Sequence, residues 1–537
     1  MGTESPSGPS PTPPEAQPSE PIGRRIIQAT LLVTAITVGV KGLGFVEKLL
    51  LAYFFGTGME VDAYLVAYGL PFSAYVVLRE VVKPAFLPTF LRARGAAEGE
   101  GRRLFGIVGT VLLLLLGGLS LAGVLLADPL ISLAAPGFAG QQRALAVRLV
   151  RLVMPALLFL GLSTLTTAAL HARKRFVLPA LGEASFRIGP IVLLLLAGGV
   201  QAVALGTLLG AVGKVLVEGL GLGRYLRRIR PSLDLAFEPV RTVGRLAAPL
   251  LAALTLSLFV APLVENAFAS GEGVGAVAAL AYARKIVETL TTILPYTLGL
   301  VLLPFSAEMA ARRDSAGLAR TLTAAVRALT LLFLPVTIGL MVLREPFVRL
   351  LFERGAFTAA STGLTAGPLF FYALALLPFA LEVVVIQFFF ARQDTLTPVI
   401  ADVAAFALNV VLIWRLMPSL GLGGIALAAA LAKGAKVLAL LWLFGRRVPE
   451  FRPAALLPFL GRMALAGLVA GGVLLLGASL GRPWAYDGGL IALALYLAAG
   501  AAVGGGVFFL VAHLLGVDET RQVWQPVRRW LRGLAGG

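Results

Sequence analysis

The chain has 537 residues, 58% of them hydrophobic and only 14% charged, against about a quarter charged in soluble domains, which excludes a soluble globular protein. It has no cysteine and only two histidines, His171 and His513, which rules out a disulfide framework and argues against a Cys/His metal or nucleophile site. The net charge of +18 falls in short loops between apolar runs, where membrane topology explains it and no nucleic-acid partner is needed.

Residues 1–22 are rich in Pro, Ser and Glu and read as a disordered tail, without the basic start and apolar core of a signal peptide. From Gly23 onward, apolar runs long enough to cross a bilayer predict about fourteen helical spans. They begin near Ile26, Val61, Leu104, Ala144, Val177, Gln201, Val243, Gly275, Thr321, Gly363, Thr397, Gly421, Ala454 and Gly488. Alternate loops carry the cations: Arg24-Arg25, Arg92–Arg103, Arg173-Lys174-Arg175, Arg224–Arg230, Arg312-Arg313, Arg446-Arg447 and Arg528-Arg529. The intervening loops carry few. This alternation predicts an even number of spans with both termini cytoplasmic.

The stretch Lys41–Pro88 places Lys41, Glu47, Lys48, Arg79, Glu80 and Lys83 inside two apolar spans joined by a Gly-rich turn. Each charge near a span centre costs roughly 2.5–3.5 kcal/mol, so these residues must face one another or water. Lys41 and Lys48, seven apart, share a helix face, as do Arg79 and Lys83, four apart. They read as a cationic wall with Glu47 and Glu80 as counter-charges; snorkelling to the interface is the alternative. Arg284, Lys285 and Glu288 repeat the pattern in the eighth span.

Two pairs of segments hint at a repeat six spans apart. DPLISLAAPGFAG (Asp128–Gly140) parallels EPFVRLLFERGAFTAAST (Glu345–Thr362), and HARKRFVLPAL (His171–Leu181) parallels FARQDTLTPVI (Phe390–Ile400). Two lobes around a central cavity would produce this, and so would a chance reuse of turn residues. The resulting division is a first lobe at 23–235, a second at 236–450, two further spans at 451–516 and a basic cytoplasmic helix at 517–537. Glu265, Asp394 and Asp402 are candidates to bind Na⁺ or a proton, or simply to pair with a nearby cation. Lys214 and Glu218, four apart, read as an internal ion pair, while Lys433 and Lys436 have no evident partner in the sequence. No catalytic triad, metal cluster or phosphate-binding loop is present, so no enzyme is expected.

The motifs KGLGFVEKLLLAYFFGTGMEVDAYLVAYGLP, AFLP (Ala85–Pro88), LAAPGF (Leu133–Phe138), LLFERGAFT (Leu350–Thr358) and ARQDTLTP (Ala391–Pro398) resemble the MurJ (MviN) lipid II flippase family. That family belongs to the multidrug/oligosaccharidyl-lipid/polysaccharide exporter superfamily. The likeness touches both lobes. Where the family's first span carries Arg-Asp, this chain has Glu47-Lys48, and the paired arginines of its second span fall near uncharged Ala74-Tyr75. The cationic set is thus rebuilt with more lysine, which binds phosphate as a point charge and not as a fork.

The resemblance implies an all-α polytopic membrane protein of the bacterial inner membrane, with two six-helix lobes in pseudo-two-fold relation around a cationic cavity and two extra C-terminal helices. It implies alternating-access export of a polyprenyl-pyrophosphate-linked cell-wall precursor, lipid II. The head-group would meet Lys41, Lys48, Arg79, Lys83, Arg284 and Lys285, with Glu47, Glu80 and Glu288 as counter-charges. It also implies no cofactor beyond a coupling Na⁺ or H⁺, and, as partners, the anionic glycolipid, membrane lipids and cell-wall synthesis proteins. Residues 451–516 would form a groove for the lipid tail, or only pack. An O-antigen or exopolysaccharide flippase is the rival reading; a drug/cation antiporter would want an acidic cavity, and a scaffold has no reason to bury charge.

Overall fold

An apolar run crossing lipid must satisfy its own backbone groups, and a helix does so within one segment. The computed structural model describes residues 22–96, 99–292 and 294–520, and among them every regular element is helical. The calls on residues 1–21 and on most of the basic C-terminal helix lie outside these described residues.

The chain opens with α1 (Ile22–Phe55), α2 (Met59–Ala96), α3 (Glu100–Leu125) and the short α4 (Ala127–Ala134). A broken span, α5 (Gly140–Val153) and α6 (Ala156–Ala172), precedes α7 (Val177–Ala197) and α8 (Gly199–Leu226). Then come α9 (Glu238–Leu254), a π-helical stretch (Thr255–Val260) and α10 (Ala261–Ser270). Next are α11 (Ala276–Thr292), α12 (Leu294–Ala311), α13 (Ser315–Val342), α14 (Arg344–Phe352), α15 (Ala359–Ala373) and α16 (Leu376–Ala391). The chain continues through α17 (Leu396–Leu420), α18 (Leu422–Arg447), α19 (Leu457–Asp487) and α20 (Gly489–Leu514).

Ten of these helical stretches are long and apolar enough to cross a membrane, and up to twelve if each bent pair counts as one span. The first and eighth expected spans fall on α1 and on α11 with α12. The faint repeat has a structural counterpart. A long helix, a short one, a broken span and a closing helix pair occur in the same order twice, with Glu100 and Ser315, Ala127 and Arg344, and Val177 and Leu396 opening corresponding helices. Even the strained turn residues correspond: Lys174 (φ 59°) and Gln393 (φ 61°) occupy the same place in the two basic turns.

Packing follows from small residues and proline. Gly189 of α7 lies directly against the backbone of Gly206 and Gly210 of α8, an approach that side chains would forbid. Pro71, Pro84 and Pro88 lie inside α2, each removing a backbone donor and loosening the helix there. One continuous apolar core runs from Leu51 to Leu456, and a second, around Phe459, Met463 and Phe508, fastens α19 and α20 to α13. Leucines such as Leu114, Leu196 and Leu476 stay exposed on the outside, as lipid-facing positions require.

The cation-rich loops gather at one end of the first half. Arg103 pairs with Asp234 at 2.5 Å, Arg173 lies over the Tyr225 ring, and the Tyr225 hydroxyl donates to the Gly101 carbonyl.

Candidate functional site

The cation-poor end is closed by a latch between the two series of helices. Asp62, near the start of α2, is fully buried and accepts from the backbone N–H of Gly275 (2.6 Å) and Ala278 (2.8 Å) and from Gln142 Nε2 (3.4 Å). Gly275 and Ala278 bracket the start of α11, where unpaired N–H groups favour an anion. Around this bond the Thr57 and Ser361 hydroxyls meet at 2.8 Å, Tyr282 donates to the Gly56 carbonyl, and Ala356 N–H donates to the Tyr53 carbonyl. Gly56 (φ 58°) and Gly355 (φ 61°) sit against the backbones of Ala356 and Tyr53, so both need glycine for conformation and for space.

Below the latch, α1, α7 and α8 hold an alternating row of charges. Glu47, 3% exposed, lies 3.5 Å from Lys48 Nζ and 3.5 Å from Arg187 Nη1. Arg187 reaches Glu183 at 3.9 Å and the Tyr68 hydroxyl at 3.4 Å, and its guanidinium lies over the Phe72 ring. Lys214 closes the row, 2.8 Å from Glu183 and 3.3 Å from Glu218, whose carboxylate also accepts from Thr166 and Thr167. The predicted Lys214–Glu218 pair is present. Three cations alternate with three carboxylates, so the row is neutral, and Lys48 belongs to it.

Breaking such a row strands a buried charge, at a cost of about 3–5 kcal/mol. Arg187→Ala is therefore expected to lower the melting temperature of the purified protein sharply. Adding Glu47→Gln, which removes the stranded charge, recovers part of the loss.

The other predicted cations are placed differently. Lys41 is exposed, the Arg79 and Glu80 side chains are about half exposed and pair at 3.0 Å, and Lys83 is exposed. Lys285 is 28% exposed and lies 4.0 Å from half-exposed Glu288. Lys41 and Lys48 both stand within electrostatic range of Lys285, across the boundary between the two helix series, and Lys41 within that of Arg79. At about 1.5 Å per residue from the latched ends of their helices, Lys48, Lys285, Lys41 and Arg79 lie about 10, 14, 21 and 30 Å down. Exposed charges within the hydrocarbon depth, Lys41 and Lys285 among them, need water beside them, which a wet vestibule between the helices below the latch would supply.

The remaining residues are tied off within the chain. Arg284 lies 2.6 Å from Glu265, while Asp394 pairs with Arg447 and accepts from the Thr397 N–H at the start of α17. Asp402 pairs with Lys436, which also bonds Glu382, and Lys433 lies 2.8 Å from Glu382. Each ion-coupling candidate thus has a cation of its own chain, and Lys433 and Lys436 have found partners. No group of three or more His, Asp or Glu side chains able to hold a metal occurs among the described residues.

Sequence reasoning missed Glu183, Arg187, Glu382 and Asp62. Glu183 and Arg187, four apart inside an apolar span, carried the same signal that singled out Arg79 and Lys83.

Comparison with known proteins supplies the context. A family model described as lipid II flippase MurJ matches residues 51–497. A Rhizobium meliloti (strain 1021) protein described as "Probable lipid II flippase MurJ" is 29% identical, over 94% of this chain and 96% of its own length. The lipid II flippase MurJ of Burkholderia cenocepacia is 27% identical, over 84% of this chain and 89% of its own. Among solved structures, a lipid II flippase MurJ in an inward closed conformation superposes with TM-score 0.75 at 21% identity, over 91% of this chain and 99% of that one. An inward-facing multidrug-resistance transporter of the MATE family follows at TM-score 0.67 and 16% identity, over 78% of this chain and 98% of that one. These structures share the fold.

Proposed function

The chain belongs to the lipid II flippase MurJ family, and from that premise we propose that it carries lipid II, a polyprenyl-pyrophosphate-linked cell-wall precursor, from the inner to the outer leaflet for peptidoglycan synthesis. The observation that supports this reading is the set of exposed or part-exposed cations, Lys41, Arg79, Lys83 and Lys285, at successive depths below the end closed by the Asp62 latch, where we place a wet vestibule. A pyrophosphate entering the bilayer loses its hydration, and fixed cations in a wet cavity replace that hydration at each depth. The neutral row from Lys48 to Glu218 fixes the wall on which those cations stand. Glu265, Asp394 and Asp402, each beside a cation of the chain, are the candidates for Na⁺ or H⁺ coupling.

In this proposal residues 23–235 and 236–450 act as two lobes that rock about the vestibule, the protein lies in the bacterial inner membrane, and the latched end faces outward. Cell-wall synthesis proteins would receive the cargo there. A Cys at Ala96, at the basic end, is expected to react with an impermeant maleimide only after permeabilisation, and a Cys at Glu272 in intact cells. The reverse pattern would invert the topology. The substrate itself is tested by mass spectrometry of lipids that co-purify with the protein. A muropeptide on a polyprenyl pyrophosphate is the expected finding; a different glycan on the same carrier would favour an O-antigen or exopolysaccharide flippase.

A further inference from the structure

The start of α13, the turn after α18 and the residues beyond α20 enclose a pocket of about 450 Å³. It lies at the end of the fold that carries Arg312-Arg313 and Arg446-Arg447. Its lining holds four charges: Arg320 and Arg327 from α13, Glu450 from the turn and Glu519 from beyond α20. The rest is alanine and one threonine. Arg320 and Arg327 are seven apart and share a helix face. Arg327 is committed within the fold, 2.9 Å from Glu519 and over the Phe459 ring, so that pair cancels. Arg320 and Glu450 remain. Both are exposed, and neither side chain makes an ion pair or a hydrogen bond among the described residues. A cation and a carboxylate thus line one pocket and stand too far apart to meet. A plain anion bound there would face Glu450, and a plain cation would face Arg320. A phosphate joined to an ammonium by a short link satisfies both. From the pocket an exposed ridge of α13, Ala324, Ala328, Leu332 and Val336, runs four residues at a time into the apolar part of the span. Hydrocarbon attached to such a head has a track along the same helix.

We propose that this pocket seats the head-group of a membrane phospholipid that carries both a phosphate and a primary ammonium, phosphatidylethanolamine, with the phosphate at Arg320 and the ammonium at Glu450. Glu450 precedes α19, and Arg320 belongs to α13. The bound lipid therefore ties the last two helices to the second half, beside the small core around Phe459 and Met463 that fastens them. The site is separate from the vestibule and does not depend on which cargo the protein moves. Two lipids serve as controls. Phosphatidylcholine has the same net charge but no N–H to give Glu450, and phosphatidylglycerol has the phosphate without a cation.

The test is native mass spectrometry of the full-length, delipidated protein in detergent, titrated in turn with the three lipids bearing identical acyl chains. Phosphatidylethanolamine is expected to bind one site at least about tenfold more tightly than phosphatidylcholine, the worth of one hydrogen bond to a charged group. Glu450→Ala should erase that preference and leave phosphatidylcholine binding as before. Arg320→Gln should weaken both lipids, because both carry the phosphate. Ala324→Trp fills the pocket from an exposed lining position without touching a charge, and it should erase the preference as well. Equal binding of phosphatidylethanolamine and phosphatidylcholine by the unsubstituted protein overturns the proposal. So does a preference that survives Glu450→Ala and Ala324→Trp, since it would then arise elsewhere on the protein. Phosphatidylglycerol bound as tightly as phosphatidylethanolamine would mark a plain anion site and overturn it too. A preference that emerges only after residues 521–537 are removed would mean that the chain's own end holds the pocket, which also contradicts the assignment.

Discussion

The double substitution Lys41→Ala/Lys285→Ala is expected to abolish rescue of cells depleted of their own flippase, while the protein inserts, accumulates and melts as the unsubstituted form does. Lys41 is exposed and Lys285 part-exposed, and ion pairs of such side chains contribute at most about 1 kcal/mol to stability. In the proposed cycle their worth lies in the transfer step. Like charges facing each other across an empty vestibule repel, and a pyrophosphate between them relieves the repulsion, so substrate favours the closed arrangement over the open one. With both cations gone, that differential affinity goes too. Full rescue at normal abundance would mean that the vestibule cations do not act on the cargo. Arg187→Ala should behave in the opposite manner, with stability lost first, because Arg187 neutralises Glu47 in the internal row.

The second large effect is expected at the latch. Asp62→Ala removes a carboxylate that accepts from two backbone N–H groups and from Gln142. Hydrogen bonds to a charged group contribute about 1.5–3 kcal/mol each, so losing even one or two shifts the closed-to-open ratio at this end by about a hundredfold. A cysteine pair replacing Thr57 and Ser361, whose hydroxyls stand 2.8 Å apart, reports that ratio directly. In the background with Asp62 intact the pair should oxidise readily, block transport, and release it again on reduction. With Asp62→Ala the crosslinking yield should collapse. Equal yields in the two backgrounds would show that Asp62 does not hold the gate.

Much of this architecture could be read from the chain itself. Apolar runs located most of the spans, and the matched turns at His171–Leu181 and Phe390–Ile400 hinted at a repeat that the helix order shows from α3–α8 to α13–α18. Charges inside apolar spans marked the interior, because lipid allows them no other place. Which charges are paired was harder to read. Lys48 and Lys41 share a helix face, yet Lys48 is tied to Glu47 and Lys41 is exposed, a difference set by how α7 packs on α1. Asp62 escaped notice for a related reason. Its partners Gly275 and Ala278 lie more than two hundred positions away, and they bind through backbone N–H groups, which leave no trace in residue type. Glu382 likewise became visible only when α16, α17 and α18 brought Asp402, Lys433 and Lys436 around it.

The central claim is movement of an anionic lipid-linked glycan across the bilayer, and the most direct measurement is the leaflet in which that lipid resides. Cells depleted of their own flippase and expressing this chain are exposed to an impermeant reagent that modifies only outward-facing lipid II, and the modified fraction is counted. The account predicts that the chain restores outward lipid II to the level of undepleted cells, and that Lys41→Ala/Lys285→Ala, at equal abundance, leaves it at the depleted level. Lipid II that stays in the inner leaflet with the unsubstituted chain present and correctly inserted would contradict the account.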